Sequence, residues 1–181
     1  MKLFLLADIH GASQNCLRAL QKFTASEADY LVLLGDLLYH GPRNPLPDSY
    51  DPQIVYNALN NYSDRIIAIR GNCDAEVDQM VLNFNISEDF TFLTLKKRLV
   101  YLTHGHIYHP DNLPPGFSSG DVLAFGHIHL PQADRQADYF IANPGSCGLP
   151  KAGNPPSYGI IEESGIYIYD FNDNPLASQK F

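Results

Sequence analysis

The segment Tyr30-Leu-Val-Leu-Leu-Gly-Asp36 predicts the central strand of the fold and the start of a functional site. Its five apolar residues show no polar face, which indicates a strand buried on both sides, as in a parallel sheet. Gly35 lets the backbone turn sharply where a side chain would clash. Asp36 then stands at the carboxyl end of the strand, where open α/β sheets bind their ligands.

The chain on either side of this segment alternates between predicted strands and helices. Residues 3–7 predict a first buried strand, and Ser13 is expected to cap a helix that follows it. A second amphipathic helix over residues 54–62 leads to a strand at 66–69. Strand, helix and strand in this order are typical of a parallel crossover unit.

The later part of the chain is richer in strands. We expect a short helix over 75–82, a hairpin of 90–95 with 99–103, strands at 122–125 and 139–142, and a closing hairpin of 158–161 with 166–169. The sequence therefore predicts one α/β domain over residues 1–181, with helices covering the sheets.

Composition restricts the functional classes. At 181 residues, with 45% hydrophobic and 18% charged residues, the chain is typical of one soluble globular domain. The net charge of -8, without a run of Lys or Arg, argues against binding to long nucleic acid. Three cysteines, an odd number, favour a reducing compartment. Since no stretch approaches the roughly 20 apolar residues of a membrane span, we expect a cytoplasmic protein.

Polar residues follow five of the predicted strands. The motifs are Asp8-x-His10, Gly35-Asp36, Gly71-Asn72, His104-Gly-His106 and Gly126-His127-x-His129. Each motif is weak alone, because an Asp or His after a strand is more often a helix cap or a solvated residue. Together they converge on one sheet edge, where alternation along an extended segment would aim the members of each pair at the same face.

Carboxylates and imidazoles gathered in this way would be costly to bury unless a cation satisfied them. Seven or more ligands exceed the four of a closed tetrahedral site, so two metal ions are the natural count. Carboxylate and imidazole without thiolate suit Mn, Fe, Zn or Ni better than Ca or Mg.

These motifs resemble the signature of the calcineurin-like metallophosphoesterases, and the whole chain is similar to the small bacterial YfcE-type phosphodiesterases. The likeness includes the segments His40-Gly-Pro-Arg-Asn44, Gly71-Asn-Cys-Asp-Ala-Glu-Val-Asp-Gln-Met80 and Asn143-Pro-Gly-Ser146. The resemblance implies a four-layer α/β/β/α sandwich of two mixed β-sheets flanked by helices. It also implies a metal-dependent phosphodiesterase that acts on small substrates through a hydroxide bridging two metal ions, with Mn²⁺ as the leading candidate and Zn, Fe or Ni as alternatives.

The resemblance assigns metal ligands by motif. The first metal would be held by Asp8, His10, Asp36 and His129, and the second by Asp36, Asn72, His104 and His127. Asp36 would bridge the two ions. Asp36 and Asn72 thereby count among the catalytic residues as well.

One position departs from the superfamily. Most members have a histidine after the Gly-Asn motif, where it assists the leaving group, whereas this chain has Cys73. A thiol with an ordinary pKa near 8.5 is a poorer proton donor at neutral pH than an imidazolium. The substitution favours diesters and acidic leaving groups, and a small buried residue without catalytic function is the alternative for Cys73.

Several residues outside the ligand set have a candidate role and a simpler alternative. His106 is expected to hold the metal ligands in place by hydrogen bonding, with a solvated His as the alternative. Arg43 lies on the proline-rich loop 41–52 and could bind a phosphate oxygen, or could simply be exposed. Asp74 is expected first as a helix cap, with a role in holding the metal ligands in place by hydrogen bonding as the alternative. Lys151 is read as a surface lysine, and residues 143–146 as a tight turn that supports the site.

Three functional classes compete. The first is the phosphodiesterase, whose partner is a small phosphodiester substrate, and a homo-oligomer is compatible with the sequence. The second is a protein-binding scaffold, because the retromer subunit resembles this family, although a scaffold gains little from so many convergent ligands. The third is a phosphomonoesterase, a nucleotide hydrolase or a nuclease.

Overall fold

The computed structural model describes residues 1–181. Its strands in chain order are β1 (Leu3–Leu6), β2 (Tyr30–Leu33), β3 (Ile66–Ala68), β4 (Phe90–Leu95), β5 (Arg98–Thr103), β6 (Val122–Ala124), β7 (Pro131–Gln136), β8 (Tyr139–Pro144), β9 (Ser157–Glu162), β10 (Gly165–Asp170) and β11 (Pro175–Lys180). The helices are α1 (Ser13–Ser26), α2 (Pro52–Asn60) and two short 3-10 helices, Ser63–Arg65 and Glu76–Met80. Neither α-helix combines the length and the apolar content that crossing a membrane requires.

The strands form two mixed sheets, as predicted. The first has six strands in the order β11-β10-β9-β1-β2-β3, and the second has five in the order β4-β5-β6-β8-β7. Strands β1, β2 and β3 are parallel, with Leu5 opposite Val32 and Val32 opposite Ile67. Strands β5, β6 and β8 are parallel in the second sheet. The α/β class with two mixed sheets is therefore confirmed.

Alternation along β1 separates two apolar cores. Phe4 and Leu6 pack in a cluster that contains Phe23 of α1 and Leu59 of α2, so this face of the first sheet is covered by the helices. Leu3 and Leu5 pack in a second cluster between the two sheets. Burial of such a side chain stabilises the fold by about 1.5–3 kcal/mol, so both faces of β1 contribute to stability.

The outer face of the second sheet is covered differently from the first. Tyr101, Leu123 and Ile141 form a small cluster there, and Phe117 packs on it from the loop that joins β5 to β6. The helices thus lie on the first sheet, while a loop shields the second one.

Several local expectations need correction. Ser13 does not cap α1 through its side chain; its hydroxyl donates to the carbonyl oxygen of Ser49 at 2.7 Å, and Ala12 occupies the cap position. The segment predicted as a helix over 75–82 is the shorter 3-10 helix. Strands β7 and β11 were not predicted, because both are largely polar and lie at sheet edges, where no second apolar face is required.

The carboxyl ends of the parallel strands bring five loops and the turn after β8 to one rim. The Asp8 amide donates to the Gly35 carbonyl at 3.1 Å, which joins the loops after β1 and β2. The Gly126 amide donates to the His104 carbonyl at 2.8 Å, and the Gly148 amide donates to the Asp8 carbonyl at 3.0 Å. These backbone bonds connect loops from both sheets, so residues distant in sequence hold a common site.

Candidate metal centre

Five of the expected ligand residues have left-handed backbones. The φ angles are 54° at Asp8, 49° at His10, 57° at Asp36, 67° at His127 and 61° at His129. Such a conformation costs a non-glycine residue about 1–2 kcal/mol, and clusters of it mark functional sites. The extended geometry expected for the Asp-x-His and His-x-His pairs is therefore wrong, because left-handed residues within tight turns aim these side chains.

Asp8, His10 and His129 form one buried group of the centre. Asp8 Oδ1 lies 3.4 Å from His129 Nε2 and 3.9 Å from His10 Nε2. Asp8 Oδ1 and His10 Nε2 are buried, and neither has a hydrogen-bond partner. A buried polar atom without a partner costs about 1–3 kcal/mol, so this group fits a cation that would satisfy both atoms.

Asp36 lies between this group and a second one. Its Oδ2 atom is 3.6 Å from His10 Nε2 and 3.4 Å from His104 Nε2. Its Oδ1 atom accepts a hydrogen bond from the Cys73 amide at 2.7 Å. Asp8, Asp36 and His104 also have ligand atoms within 4.8 Å of one another. Asp36 therefore has the position that a bridging ligand requires.

Three histidine rings are fixed in orientation by backbone carbonyls. Nδ1 of His10 donates to Tyr39 O at 2.8 Å, and Nδ1 of His104 donates to Leu34 O at 2.7 Å. Nδ1 of His129 bonds to the Leu149 carbonyl in the same way. Because a carbonyl only accepts, each Nδ1 carries the proton, and each Nε2 atom faces the centre as a potential ligand.

The charges of the centre shift two pKa values in opposite directions. Burial alone would raise the pKa of Asp36, but the hydrogen bond and charge of His104, together with the Cys73 amide, hold it well below its usual range. Burial alone would lower the pKa of His104, but Asp36 and Asp8 raise it to about 9. Without metal, the positive charge of protonated His104 partly compensates the negative charge of Asp8 and Asp36. A bound cation would take over this function.

The second expected ligand set is more open. Asn72 is exposed, and its Oδ1 atom lies 3.1 Å from His104 Nε2. The His127 ring is only partly buried and packs on the His104 ring with centroids 5.1 Å apart. Burial and the charge of His104 lower the pKa of His127, which favours the neutral ring that a metal requires. The structure thus brings Asn72, His104 and His127 together beside Asp36, with Asn72 and His127 open to solvent.

His106 does not hold the ligands by the hydrogen bonding that we expected. Its Nδ1 atom is buried without a partner, and its ring packs on the His104 ring at 5.3 Å between centroids. Burial and the charge of His104 lower its pKa. It therefore contacts the centre through the His104 ring, in an edge-to-face arrangement.

Asp74 is not the helix cap that we expected first, and its contacts agree with the alternative, in which it supports the metal ligands by hydrogen bonding. Its buried carboxylate accepts hydrogen bonds from the amides of Asp36 at 2.8 Å, Leu37 at 2.8 Å and Gly71 at 2.7 Å. The following 3-10 helix is instead capped at Ala75, whose amide donates to Asp78. Asp74 therefore fixes the turn that presents Asp36.

Gly71 is required by close packing at this turn. A Cβ atom there would lie 2.1 Å from Asp36 Oδ1 and 2.3 Å from the Asp36 amide nitrogen. No side chain can be accommodated without moving Asp36.

The turn at residues 143–146 supports the centre, as predicted. The Ser146 hydroxyl donates to the Asp8 carbonyl at 2.8 Å, and the Asn143 side-chain amide donates to the Gly126 carbonyl at 2.8 Å. These bonds hold the loops after β1 and β6 together, and those loops contain Asp8 and His129.

A polar cavity of about 460 Å³ lies beside the centre. Its lining includes five residues of the centre, Asp36, Asn72, Cys73, His127 and His129, together with Tyr39, Arg43, Asn44 and Lys151. Arg43 and Lys151 are the cationic side chains of a lining that also contains the carboxylates of Asp36 and Asp74. Lys151 is exposed but belongs to this cavity, which its position in a Pro- and Gly-rich loop did not reveal.

Cys73 lies at this cavity as a neutral thiol. Burial, followed by the charge of Asp36, raises its pKa to about 12. It is thus less able to donate a proton than an ordinary thiol. The difference from a histidine at this position is therefore larger than the sequence alone indicated.

Comparison with known proteins agrees with this geometry. Residues 1–165 match the family described as the calcineurin-like phosphoesterase superfamily domain. Phosphodiesterase YfcE of Escherichia coli strain K12 is 45% identical over 179 residues, which cover 99% of this chain and 97% of that protein. A solved structure of Yfce, described as a phosphoesterase from E. coli, superposes with a TM-score of 0.96 at 44% identity over 99% of both chains.

More distant proteins share the architecture. The probable metallophosphoesterase YsnB of Bacillus subtilis is 26% identical over 191 residues, covering 97% of this chain and 95% of that protein. Vps29 from Chaetomium thermophilum superposes with a TM-score of 0.65 at 17% identity, over 100% of this chain and 97% of that one. At that identity the likeness shows the fold alone.

Proposed function

Because the chain belongs to the calcineurin-like phosphoesterase superfamily, we propose that it is a metal-dependent phosphodiesterase that hydrolyses small phosphodiester substrates beside Asp36. The single observation that carries this proposal is the pair of buried, unpartnered atoms, Asp8 Oδ1 and His10 Nε2, next to the Asp36 carboxylate. A protein that used this rim only as a binding surface would have no reason to retain such costly atoms.

We propose two divalent metal ions, with the ligands divided as the sequence motifs suggest. Asp8, His10, Asp36 and His129 would hold one ion, and Asp36, Asn72, His104 and His127 would hold the other. Manganese is the metal that the family resemblance favours, with Zn, Fe or Ni as alternatives, and the imidazole, carboxylate and amide donors suit all four. When bound, such a pair supplies Lewis-acid chemistry and lowers the pKa of water, which is the requirement for attack on a phosphodiester at neutral pH.

The protein's own residues orient the substrate. Arg43 and Lys151 line the cavity and would bind non-bridging phosphoryl oxygens, Arg43 through two parallel hydrogen bonds. The buried Nδ1 bonds of His10, His104 and His129 would keep each Nε2 atom directed at the centre during turnover.

The proposal favours acidic leaving groups. The thiol of Cys73, whose pKa is about 12, is a weak proton donor to a leaving oxygen. Aryl and other stabilised leaving groups need no such proton. We propose small diesters of this kind as substrates and, given three free cysteines, a reducing cytoplasm as the compartment.

Metal reconstitution tests the proposal. Metal-free protein is refilled in parallel with Mn, Ni, Zn or Mg, and turnover of aryl phosphate monoesters and diesters is measured with each. We expect diester turnover with transition metals and two bound ions per chain by metal analysis. Inertness under every metal would refute the enzyme, and a preference for monoesters would favour a phosphomonoesterase.

A pair of variants tests the position of the centre. Asp36→Asn should abolish turnover while the fold is retained. Asp48→Asn is the matched control, because Asp48 is an exposed carboxylate on the neighbouring loop and should keep wild-type turnover. Equal activity of the two variants would contradict the assignment of Asp36.

A further inference from the structure

A second, apolar depression opens beside the polar cavity. This tyrosine groove has a volume of about 430 Å³, within the range of small-molecule sites, and its main lining residues are Leu38, Tyr39, Tyr50, Tyr56, Val77 and Val81. Val77 is 63% exposed, Tyr39 is 42% exposed and Val81 is 37% exposed. Scattered exposed apolar residues are ordinary, but a concave cluster of them indicates a binding surface.

The groove is continuous with the cavity of the metal centre. Tyr39, Cys73 and Ala75 line both depressions. A molecule with its phosphate in the cavity would therefore extend a substituent directly into the groove.

One wall of the groove is attached to the ligand loop. The Tyr39 carbonyl accepts the Nδ1 hydrogen bond of His10. Tyr50 pairs with Ala12 through a β-bridge, and its ring lies so close to Gly11 that a Cβ there would be 2.5 Å from the ring. The two tyrosines are thus held by the loop that presents His10.

The opposite wall is attached to the turn that presents Asp36. Val77 belongs to the 3-10 helix Glu76–Met80, which begins two residues after Asp74. Since Asp74 binds the Asp36 amide at 2.8 Å, both walls have a defined position relative to the centre.

The two depressions differ in charge. The cavity contains Arg43 and Lys151, whereas the residues that line the groove include no Lys or Arg. The charged residue in the groove is Asp78, whose carboxylate accepts a hydrogen bond from the Ala75 amide at 2.8 Å. A second phosphate would be repelled there, while an uncharged ring would contact tyrosine and valine side chains.

Building on the proposed phosphodiesterase function, we infer that the tyrosine groove binds one uncharged aromatic ester group of the substrate while the phosphate lies in the cavity. The substrate class is then phosphodiesters with an aromatic substituent, and polyphosphates are disfavoured. The groove contributes specificity by apolar contact, and Val77 and Tyr39 are its specificity-determining residues.

Calorimetric binding of two phosphonates to the Mn-loaded protein tests this inference without requiring turnover. Phenylphosphonate and methylphosphonate are compared at a pH where both carry the same charge. We expect phenylphosphonate to bind about tenfold more tightly, which corresponds to about 1.4 kcal/mol. Val77→Asp should remove this preference, so that the two phosphonates bind with equal affinity, because the added charge acts on both ligands alike.

Met80→Asp is the matched control, because Met80 is 82% exposed on the same 3-10 helix and does not line the groove. It should retain the preference for phenylphosphonate. Equal affinities in the wild-type protein, or a preference that survives Val77→Asp, would overturn the inference. A dimer that Val77→Asp dissociates in sedimentation would also overturn it, because the groove would then be an interface between copies. If the preference is present but no diester is hydrolysed, the groove assignment stands and the proposed function falls.

Discussion

Replacement of Asp74 by asparagine should weaken both the fold and the metal centre. In the native protein, one carboxylate oxygen accepts from the amides of Asp36 and Gly71, and the other accepts from the Leu37 amide. Asparagine can place its oxygen at the first position only, so its NH₂ group would face the Leu37 amide, donor against donor. The substitution is nearly isosteric, so its effect reports on these bonds.

The magnitude follows from the bonds that are lost. Each hydrogen bond to a charged group contributes about 1.5–3 kcal/mol, and an unsatisfied buried donor costs about 1–3 kcal/mol. Burial raises the pKa of Asp74, which shows that the charge is unfavourable to bury, and its removal offsets part of the loss. We expect a net loss of about 2–3 kcal/mol in the free energy of unfolding. Metal affinity should fall about 10- to 100-fold, as for other residues that orient ligands.

Urea unfolding of the metal-free protein and calorimetric titration with Mn²⁺ measure the two effects. Asp78→Asn is the matched control, because Asp78 accepts one hydrogen bond, from Ala75, and asparagine can still accept it. The control should lose less than about 1 kcal/mol. Wild-type stability and Mn²⁺ affinity in Asp74→Asn would refute the reasoning, as would equal losses in both variants.

Three further predictions concern the same centre. Gly71→Ala should displace Asp36 and reduce the Mn²⁺ affinity measured by titration more than about tenfold. Gly153→Ala is the control and should leave that affinity unchanged, because a Cβ atom there would meet nothing within 4 Å. Cys73→Ser should keep turnover of aryl diesters within about threefold, because a thiol with a pKa of about 12 does not donate the proton, and a larger loss would assign it a catalytic role. Metal binding should displace a proton from His104, whose pKa of about 9 keeps it protonated at neutral pH, so affinity should rise with pH up to that value. Calorimetry in buffers of different ionisation enthalpy detects the released proton. Metal binding without proton release would contradict the assignment of His104 as a ligand.

The residues of the centre were predictable because their positions follow from chain direction. Apolar runs such as residues 3–7 and 30–34 identify buried strands, and in parallel strands the following residues share one rim. The side-chain types of Asp8, Asp36 and His129 indicate cation chemistry without any knowledge of geometry. The predicted gathering of these residues was therefore correct, although the extended backbone expected for them was not.

Sequence alone determined where the buried strands lie along the chain, the α/β class of the fold and the set of polar residues that meet at the rim. These features depend on local polarity and chain direction. Tertiary structure decided the contacts of Asp74 and His106, the position of Lys151 at the cavity and the presence of the tyrosine groove. The reason is physical: a carboxylate, a ring or an exposed valine acquires its role from partners that are distant along the chain. Those partners are set by packing between loops, which local sequence patterns do not encode.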